Sequence, residues 1–306
     1  MSLMRVLALL AGFVAGMLGM AAPVAAWAAP AMWRVTGAGS EVYLFGTLHA
    51  LAPTTQWRTP AYDAAYAKAA KVWFEADLGT ADPATVGLIV SRYGVDPERG
   101  LSEKLAAADL SELKGLSELK GGADMDRIEH LRPWAAALML SMQPVLAKGA
   151  AVETGADMTV TREARSGGKQ ISTFETLEDQ ARMFASLPEP AELQYLTDVI
   201  HARHPAPAKH PRLSLNPGAS SLEQEWLAGD LARLGPSLVR DLAHDNPALY
   251  DVLLKRRNLA WADKLTAEMG LSPGVELVNV GALHMVGQDG LPALLAARGF
   301  KVERVQ

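Results

Sequence analysis

The sequence predicts an α/β fold with a parallel-rich central sheet, flanking helices and a helical insertion. Three observations carry that expectation. Short β-type runs alternate with Ala- and Leu-rich helical stretches, the order that builds a parallel sheet. Several of the runs stop at a glycine or an acidic residue, where strands of such sheets feed a site at their carboxyl edge. The stretch 83–149 reads as mostly helical and interrupts the strand–helix order as an insertion.

Taken in order, residues 1–28 read as an export signal. Arg5 precedes an apolar run over 6–20, and Ala26-Trp27-Ala28 gives the small-x-small pattern at which a leader is cut. The run is shorter than the ~20 residues of a membrane-spanning helix; an uncleaved N-terminal anchor is the competing reading. Residues 29–306 then form one α/β domain. β-type runs at 32–35 and 41–45 flank the turn residues 37–40, which predicts a hairpin. The second run stops at Gly46-Thr47-Leu48-His49. An Ala-rich helix over 60–71 leads into the run 71–77, which ends in acids.

Beyond the insertion, a helix is expected over 157–165, a third parallel strand over 170–175 and a helix over 178–187. The stretch 201–218 holds four prolines and reads as an exposed loop. Asn246-Pro247 starts a helix that Gly270 stops. Residues 275–280 form a fourth parallel strand ending at Gly281-Ala282-Leu283-His284. A last helix over 291–298 and an edge strand over 300–305 complete the order.

Composition narrows the function. The full chain carries a net charge of −5, and removing the leader with its single Arg5 makes it −6. Such a chain has no basic surface for a phosphate backbone, so no nucleic-acid partner is expected. No later apolar stretch is long enough to cross a membrane. Cysteine is absent, so disulfides and thiolate metal sites are ruled out, and any metal must be held by His, carboxylate or backbone oxygen. There is no Gly-x-Ser-x-Gly elbow, no Walker-type phosphate loop and no His-Glu-x-x-His.

Three residues share one kind of position, at or just past the carboxyl end of an expected strand: His49, Glu75 and His284. Gly46 and Gly281 let the backbone turn sharply beside them. Two neutral imidazoles and a carboxylate suit Zn, Mn, Co or Fe; without metal the same trio supplies a general base and its charge partner. The plain alternative is that each histidine only caps a turn. Arg257 falls in the middle of the apolar face made by Tyr250, Leu253, Leu254, Trp261 and Leu265. A buried guanidinium needs an anion. That anion is Glu75 or a substrate oxyanion in the functional reading, and Asp157 or Glu175 in a purely structural one. Asn258, one step off the stripe, contacts a neighbouring loop. If its strand continues, Asp77 lies on the same side as Glu75 and orients a histidine ring. Glu175 ends its strand as Glu75 does. His201, His204 and His210 read as solvated loop residues, and His130 and His244 as structural.

At these residues the chain resembles the TraB/GumN family, which is related to the Tiki metalloproteases. The matching elements are residues 43–49 (YLFGTLH), Trp57-Arg58-Thr59-Pro60, Trp73-Phe74-Glu75 and Gly155-Ala156-Asp157. They continue with Phe174-Glu175-Thr176, Asp179-Gln180 ahead of Phe184, Arg257-Asn258, Val280-Gly281-Ala282-Leu283-His284 and Gly287-x-Asp289-Gly290. The resemblance implies that the two Gly-x-x-His histidines and Glu75 face one cleft. In the Tiki branch that arrangement goes with metal-dependent peptide cleavage; relatives of similar fold include erythromycin esterases and a haem-binding lipoprotein. Ala282 departs from the family, where many members carry glycine; a positive φ there would be strained.

Together these readings describe a periplasmic metal-dependent hydrolase acting on a peptide or small-molecule substrate. His49, Glu75 and His284 would hold a divalent ion (Zn, Mn or Co), with Glu75 as ligand or general base and Arg257 steadying the developing negative charge. Asp77, Asp157, Glu175 and Asn258 would support the site. The rival readings are a metal-free ester or lactone hydrolase, a binding protein for haem or another metal-bearing ligand, and a degenerate enzyme that serves only as a partner.

Overall fold

A computed structural model describes residues 29–306 apart from 38, 78, 80–81, 118–123, 148, 204–218, 231–235 and 272. The expected leader, 1–28, lies outside the described residues. Six strands form one sheet: β1 (Met32–Gly37), β2 (Ser40–Thr47), β3 (Lys71–Phe74), β4 (Gln170–Thr173), β5 (Val275–Gly281) and β6 (Lys301–Arg304), in the order β4-β3-β5-β2-β1-β6. β4, β3, β5 and β2 run parallel, while β1 pairs antiparallel with both β2 and β6. The expected hairpin, the four parallel strands and the terminal edge strand are all present.

Helices cover both faces, so the central strands are mostly apolar on both sides, broken in β5 by the buried Glu276 and Asn279. On β2, Tyr43 and Phe45 pack with Trp57, Tyr62, Val72 and Trp226, whereas Val42 and Leu44 face Trp261, Leu265, Val280 and Leu291. A third core joins the insertion to later helices: Leu113, Ile128, Trp134 and Leu140 pack with Leu196, Ile200, Leu242 and Leu249. Helix α1 (Pro60–Lys68) joins β2 to β3, and the insertion that follows β3 holds α2 (Pro83–Tyr93), α3 (Leu101–Lys104), α4 (Ala107–Ser117), α5 (Met125–Ile128) and α6 (Pro133–Ala147). Next come α7 (Ala156–Ser166), α8 (Leu177–Ala185), α9 (Glu189–Ala202), α10 (Ala219–Leu227) and α11 (Pro236–Asp245).

Asn246 caps the next helix by accepting from the Leu249 N–H at 3.1 Å. That helix is not uniform: α12 (Pro247–Tyr250) passes through a π-helical turn (Asp251–Lys255) into α13 (Arg256–Leu271). Such π turns gather at functional sites, and this one sits directly before Arg257. Helix α14 (Leu291–Ala297) precedes β6.

Two expectations are corrected. His201 is no loop residue: it lies on the last turn of α9, and its Nε2 is 2.7 Å from Asp109 Oδ1 of α4. The prolines beyond residue 204 drew the loop boundary too early, masking the helical spacing of Leu196, Val199 and Ile200; His204 and His210 lie outside the described residues. Strand β3 stops at Phe74, so Glu75 and Asp77 do not share a strand face.

Candidate functional site

The register of the parallel strands levels their carboxyl ends. Thr47 pairs with Gly281, and Phe74 pairs with both Asn279 and Thr173. The residues that follow therefore emerge together: His49 after β2, Glu75 after β3, Glu175 after β4, and His284 on the 3-10 turn Ala282–Met285 after β5. A Cβ on Gly46 would stand 2.9 Å from the Ala282 Cα, so only glycine lets β2 and this turn approach. Ala282 takes the first position of the 3-10 turn, whose dihedrals are right-handed, so the family's second glycine is not required here.

His49 Nε2 is 4.0 Å and His284 Nε2 3.6 Å from Glu75 Oε1. Both rings are held from behind. The His49 Nδ1 lies 2.8 Å from Asp157 Oδ2, while Thr47 Oγ1 donates to Asp157 Oδ1. Asp157 is buried in the first turn of α7, where the positive end of the helix favours an anion. The His284 Nδ1–H donates to Asn258 Oδ1 at 2.6 Å, and Asn258 Nδ2 donates to the Asp289 carbonyl at 2.7 Å. These anchors turn both Nε2 atoms towards Glu75. Sequence reading assigned ring orientation to Asp77; it belongs to Asp157 and Asn258. Asp77 instead accepts from Arg165 and from the Gly79 amide.

Arg257, 7% exposed, pairs with two of the anions expected for it, Glu75 and Glu175. Its Nη2 donates to Glu75 Oε2 at 2.6 Å and to Glu175 Oε2 at 2.9 Å, and its Nε to Glu175 Oε1 at 3.0 Å. Nη1 reaches the Leu253 carbonyl at 3.1 Å and His284 Nε2 at 3.2 Å. The guanidinium lies 4.6 Å from the Trp261 ring centroid, and Trp261 Nε1 donates to Glu175 Oε1 at 3.0 Å. The ion pair expected with Asp157 is absent among the described contacts, since Asp157 is committed to His49 and Thr47.

This arrangement separates the charge states of the two histidines. The neighbouring Asp157 carboxylate, acting against burial, raises His49 to about 9. Burial lowers His284 to about 3 and Arg257 reinforces it, so its Nε2 keeps a lone pair. Burial opposes ionisation of Glu75, but Arg257 and the two neighbouring histidines, with the Gly281 N–H at 2.7 Å, together outweigh it and hold the carboxyl well below the usual range. A carboxylate so stabilised is a ligand or electrostatic anchor; it is a poor general base at neutral pH. The open side of the site is a small cleft of about 180 Å³ lined by His49, Phe74, Glu75, Ala76, Asp157, Thr161 and Gln180.

Among the described residues no group of three His, Asp or Glu side chains is already arranged to hold a metal ion, although the chemistry of His49, Glu75 and His284 suits a divalent one. Tetrahedral Zn places N and O ligands about 3.3–3.6 Å apart; His284 Nε2 stands at 3.6 Å from Glu75 Oε1 and His49 Nε2 at 4.0 Å, so His49 would have to move inward. A Cβ on Gly281 would stand 3.1 Å from Glu75 Oε1 and 3.3 Å from His49 Nε2, so glycine keeps the space between the donors clear. Anchoring of each Nδ1 by an oxygen acceptor is the usual support of a metal-binding imidazole. The contact of Arg257 Nη1 with His284 Nε2 would have to yield. Thr47, Gln180 and the Gly281 N–H were not foreseen as site residues. Each had left a signal, since Thr47 and Gly281 lie in the two Gly-x-x-His motifs and Gln180 follows the strand-ending Glu175 by five residues.

A parallel-rich sheet with a His-Glu-His-Arg cluster at its carboxyl edge defines the class of protein. The sequence profile of the TraB/PrgY/gumN family matches residues 31–304, and the chain belongs to that family. It is similar to the uncharacterized protein YbaP of Escherichia coli (strain K12), 29% identical over 224 residues, which cover 72% of this chain and 75% of that protein. YbaP of Shigella flexneri matches to the same extent, 29% over 224 residues. No solved structure matches the chain.

Proposed function

We propose that the protein is a metal-dependent hydrolase of peptide bonds that acts in the periplasm. One observation carries the reading: two imidazole Nε2 atoms converge on Glu75 Oε1, each with its Nδ1 tied to an oxygen acceptor. In this reading His49, His284 and Glu75 hold a divalent ion (Zn, Mn or Co). Such an ion, when bound, polarises a scissile carbonyl and brings a bound water's pKa towards ~7. Asp157 and Asn258 fix the rings so that both Nε2 atoms face the cleft; His284 presents its lone pair, and His49, raised to about 9, would give up its Nε2 proton on binding the ion. Arg257 keeps Glu75 ionised, and its guanidinium offers positive charge beside the reacting carbonyl. The apolar run over 6–20 supports export, and among the described residues no helix is long and apolar enough to cross a membrane.

The test is metal content of untagged protein by elemental mass spectrometry, for wild type, His49→Ala and His284→Ala, with circular dichroism as a folding control. Near-stoichiometric metal lost in both folded variants is expected. Wild type that stays metal-free after incubation with Zn, Mn and Co would overturn the assignment. One observation favours a second reading: Arg257 Nη1 occupies the His284 lone pair at 3.2 Å. Here the chemistry is metal-free ester or lactone hydrolysis, in which protonated His49 gives its Nε2 proton to the leaving group and recovers one from the attacking water. Activity that survives chelation would select it.

A further inference from the structure

Gln180 takes no part in the reading above, yet it forms part of the cleft wall. Its place is set firmly by the start of α8. Thr176 and Asp179 exchange backbone N–H bonds with each other's side chains, both at 3.0 Å, and the Gln180 N–H bonds the Thr176 carbonyl at 3.1 Å. From there Nε2 comes within 3.5 Å of Glu75 Oε2 and within 3.5 Å of Glu175 Oε2. Arg257 Nη2 donates to the same two oxygens, at 2.6 and 2.9 Å. Four atoms thus close a ring, with Arg257 on the core side and Gln180 on the cleft side.

The two sides of the ring are unequal. An ionised carboxylate only accepts hydrogen bonds, so the NH2 of Gln180 faces both oxygens. At 3.5 Å these bonds lie at the outer limit of the interaction. The Arg257 bonds are short and charge-assisted and neutralise both carboxylates without help. The carboxamide is therefore free to turn towards a bound molecule at little cost. What it matches best is another amide: Oε1 accepts an N–H while Nε2 donates to a carbonyl. An ester presents the carbonyl but sets an oxygen where the N–H should be, leaving Oε1 against a lone pair.

We propose that Gln180 is a specificity-determining residue that selects a secondary amide, one unit of peptide backbone, over an ester or lactone in this cleft. The inference rests on the hydrolase reading for its chemistry and on the ring of contacts for its geometry.

The experiment is a binding comparison that needs no turnover. A pool of N-acetylated, C-amidated tripeptides and the matching depsipeptide pool are titrated into wild type and Gln180→Leu, with the Gln180 side-chain NH2 resonance followed by NMR. Wild type is expected to bind peptide about tenfold or more tightly than depsipeptide, with a shift of the Gln180 NH2 signal. Folded Gln180→Leu should bind both pools alike. Equal binding of the two pools by wild type, no binding of either, or discrimination that persists in Gln180→Leu would each overturn the proposal. Discrimination without hydrolysis, with or without added metal, would sink the hydrolase reading alone.

Discussion

At the scale of single residues, the site gives different charge states to two histidines that share Glu75, one half-exposed beside Asp157 and one buried against Arg257. Asp157 raises His49 to about 9, and burial lowers His284 to about 3. Removing the carboxylate in Asp157→Asn should bring His49 back towards its ordinary value near 6.5, read from its ring resonances over pH 5–10. The sign for stability follows from linkage. A raised folded-state pKa means that the pair's contribution is full below about pH 6.5 and is lost as pH rises through about 9. Wild type should therefore lose stability between pH 6.5 and 9 that Asp157→Asn does not, measured by urea midpoints. Arg257 is the other residue on which much depends. Arg257→Ala leaves Glu75 and Glu175 buried beside each other without a cation, and a loss of about 3–5 kcal/mol is expected in chemical denaturation.

At the scale of elements, glycines at strand ends decide how closely the pieces of the site approach. A Cβ at Gly281 would meet Glu75 Oε1 at 3.1 Å and His49 Nε2 at 3.3 Å, and Gly281 has φ −50, so the substitution fills space without backbone strain. Gly281→Ala should keep its circular dichroism and melting temperature but bind metal at least tenfold more weakly. A variant that binds metal like wild type would show that this space is not where the donors meet. The π turn before Arg257 has a comparable role. The Arg256 N–H reaches back to Asp251 instead of Val252, and the Arg257 guanidinium takes up the Leu253 carbonyl.

At the scale of the whole molecule, the helical insertion shares a core with helices that come after β4. Leu196 of α9 is fully buried in that core with Leu113 and Ile128 of the insertion. Leu196→Ala should therefore cost about 2–5 kcal/mol and raise hydrogen exchange in α4 and α5 as well as in α9. Protection lost in α9 alone would mean that the insertion stands as a separate unit. His201, paired with Asp109 across the same junction, ties α9 to α4 by a polar contact beside the apolar ones.

The sequence by itself determined the order of strands and helices and the places where chemistry sits. Residues 42–45 are apolar and 275–280 nearly so, Glu276 and Asn279 excepted, and each run leads into Gly-x-x-His, so periodicity and punctuation are local properties that need no fold to be seen. The acidic ends at Glu75 and Glu175 were visible for the same reason, as was Arg257 standing in an apolar stripe. Helix α9 escaped because neighbouring prolines outweighed its spacing. Only the tertiary structure decided who partners whom. Asp157 rather than Asp77 holds His49, because β3 stops at Phe74 and α7 brings its first turn up beside β2. Asn258 finds His284, and Gln180 closes a ring with Arg257, through contacts between residues 26 and more than 70 positions apart in the chain. Hydrogen bonds and desolvation depend on distances of a few ångströms, and those are fixed by strand register and helix packing, which no short stretch of sequence contains.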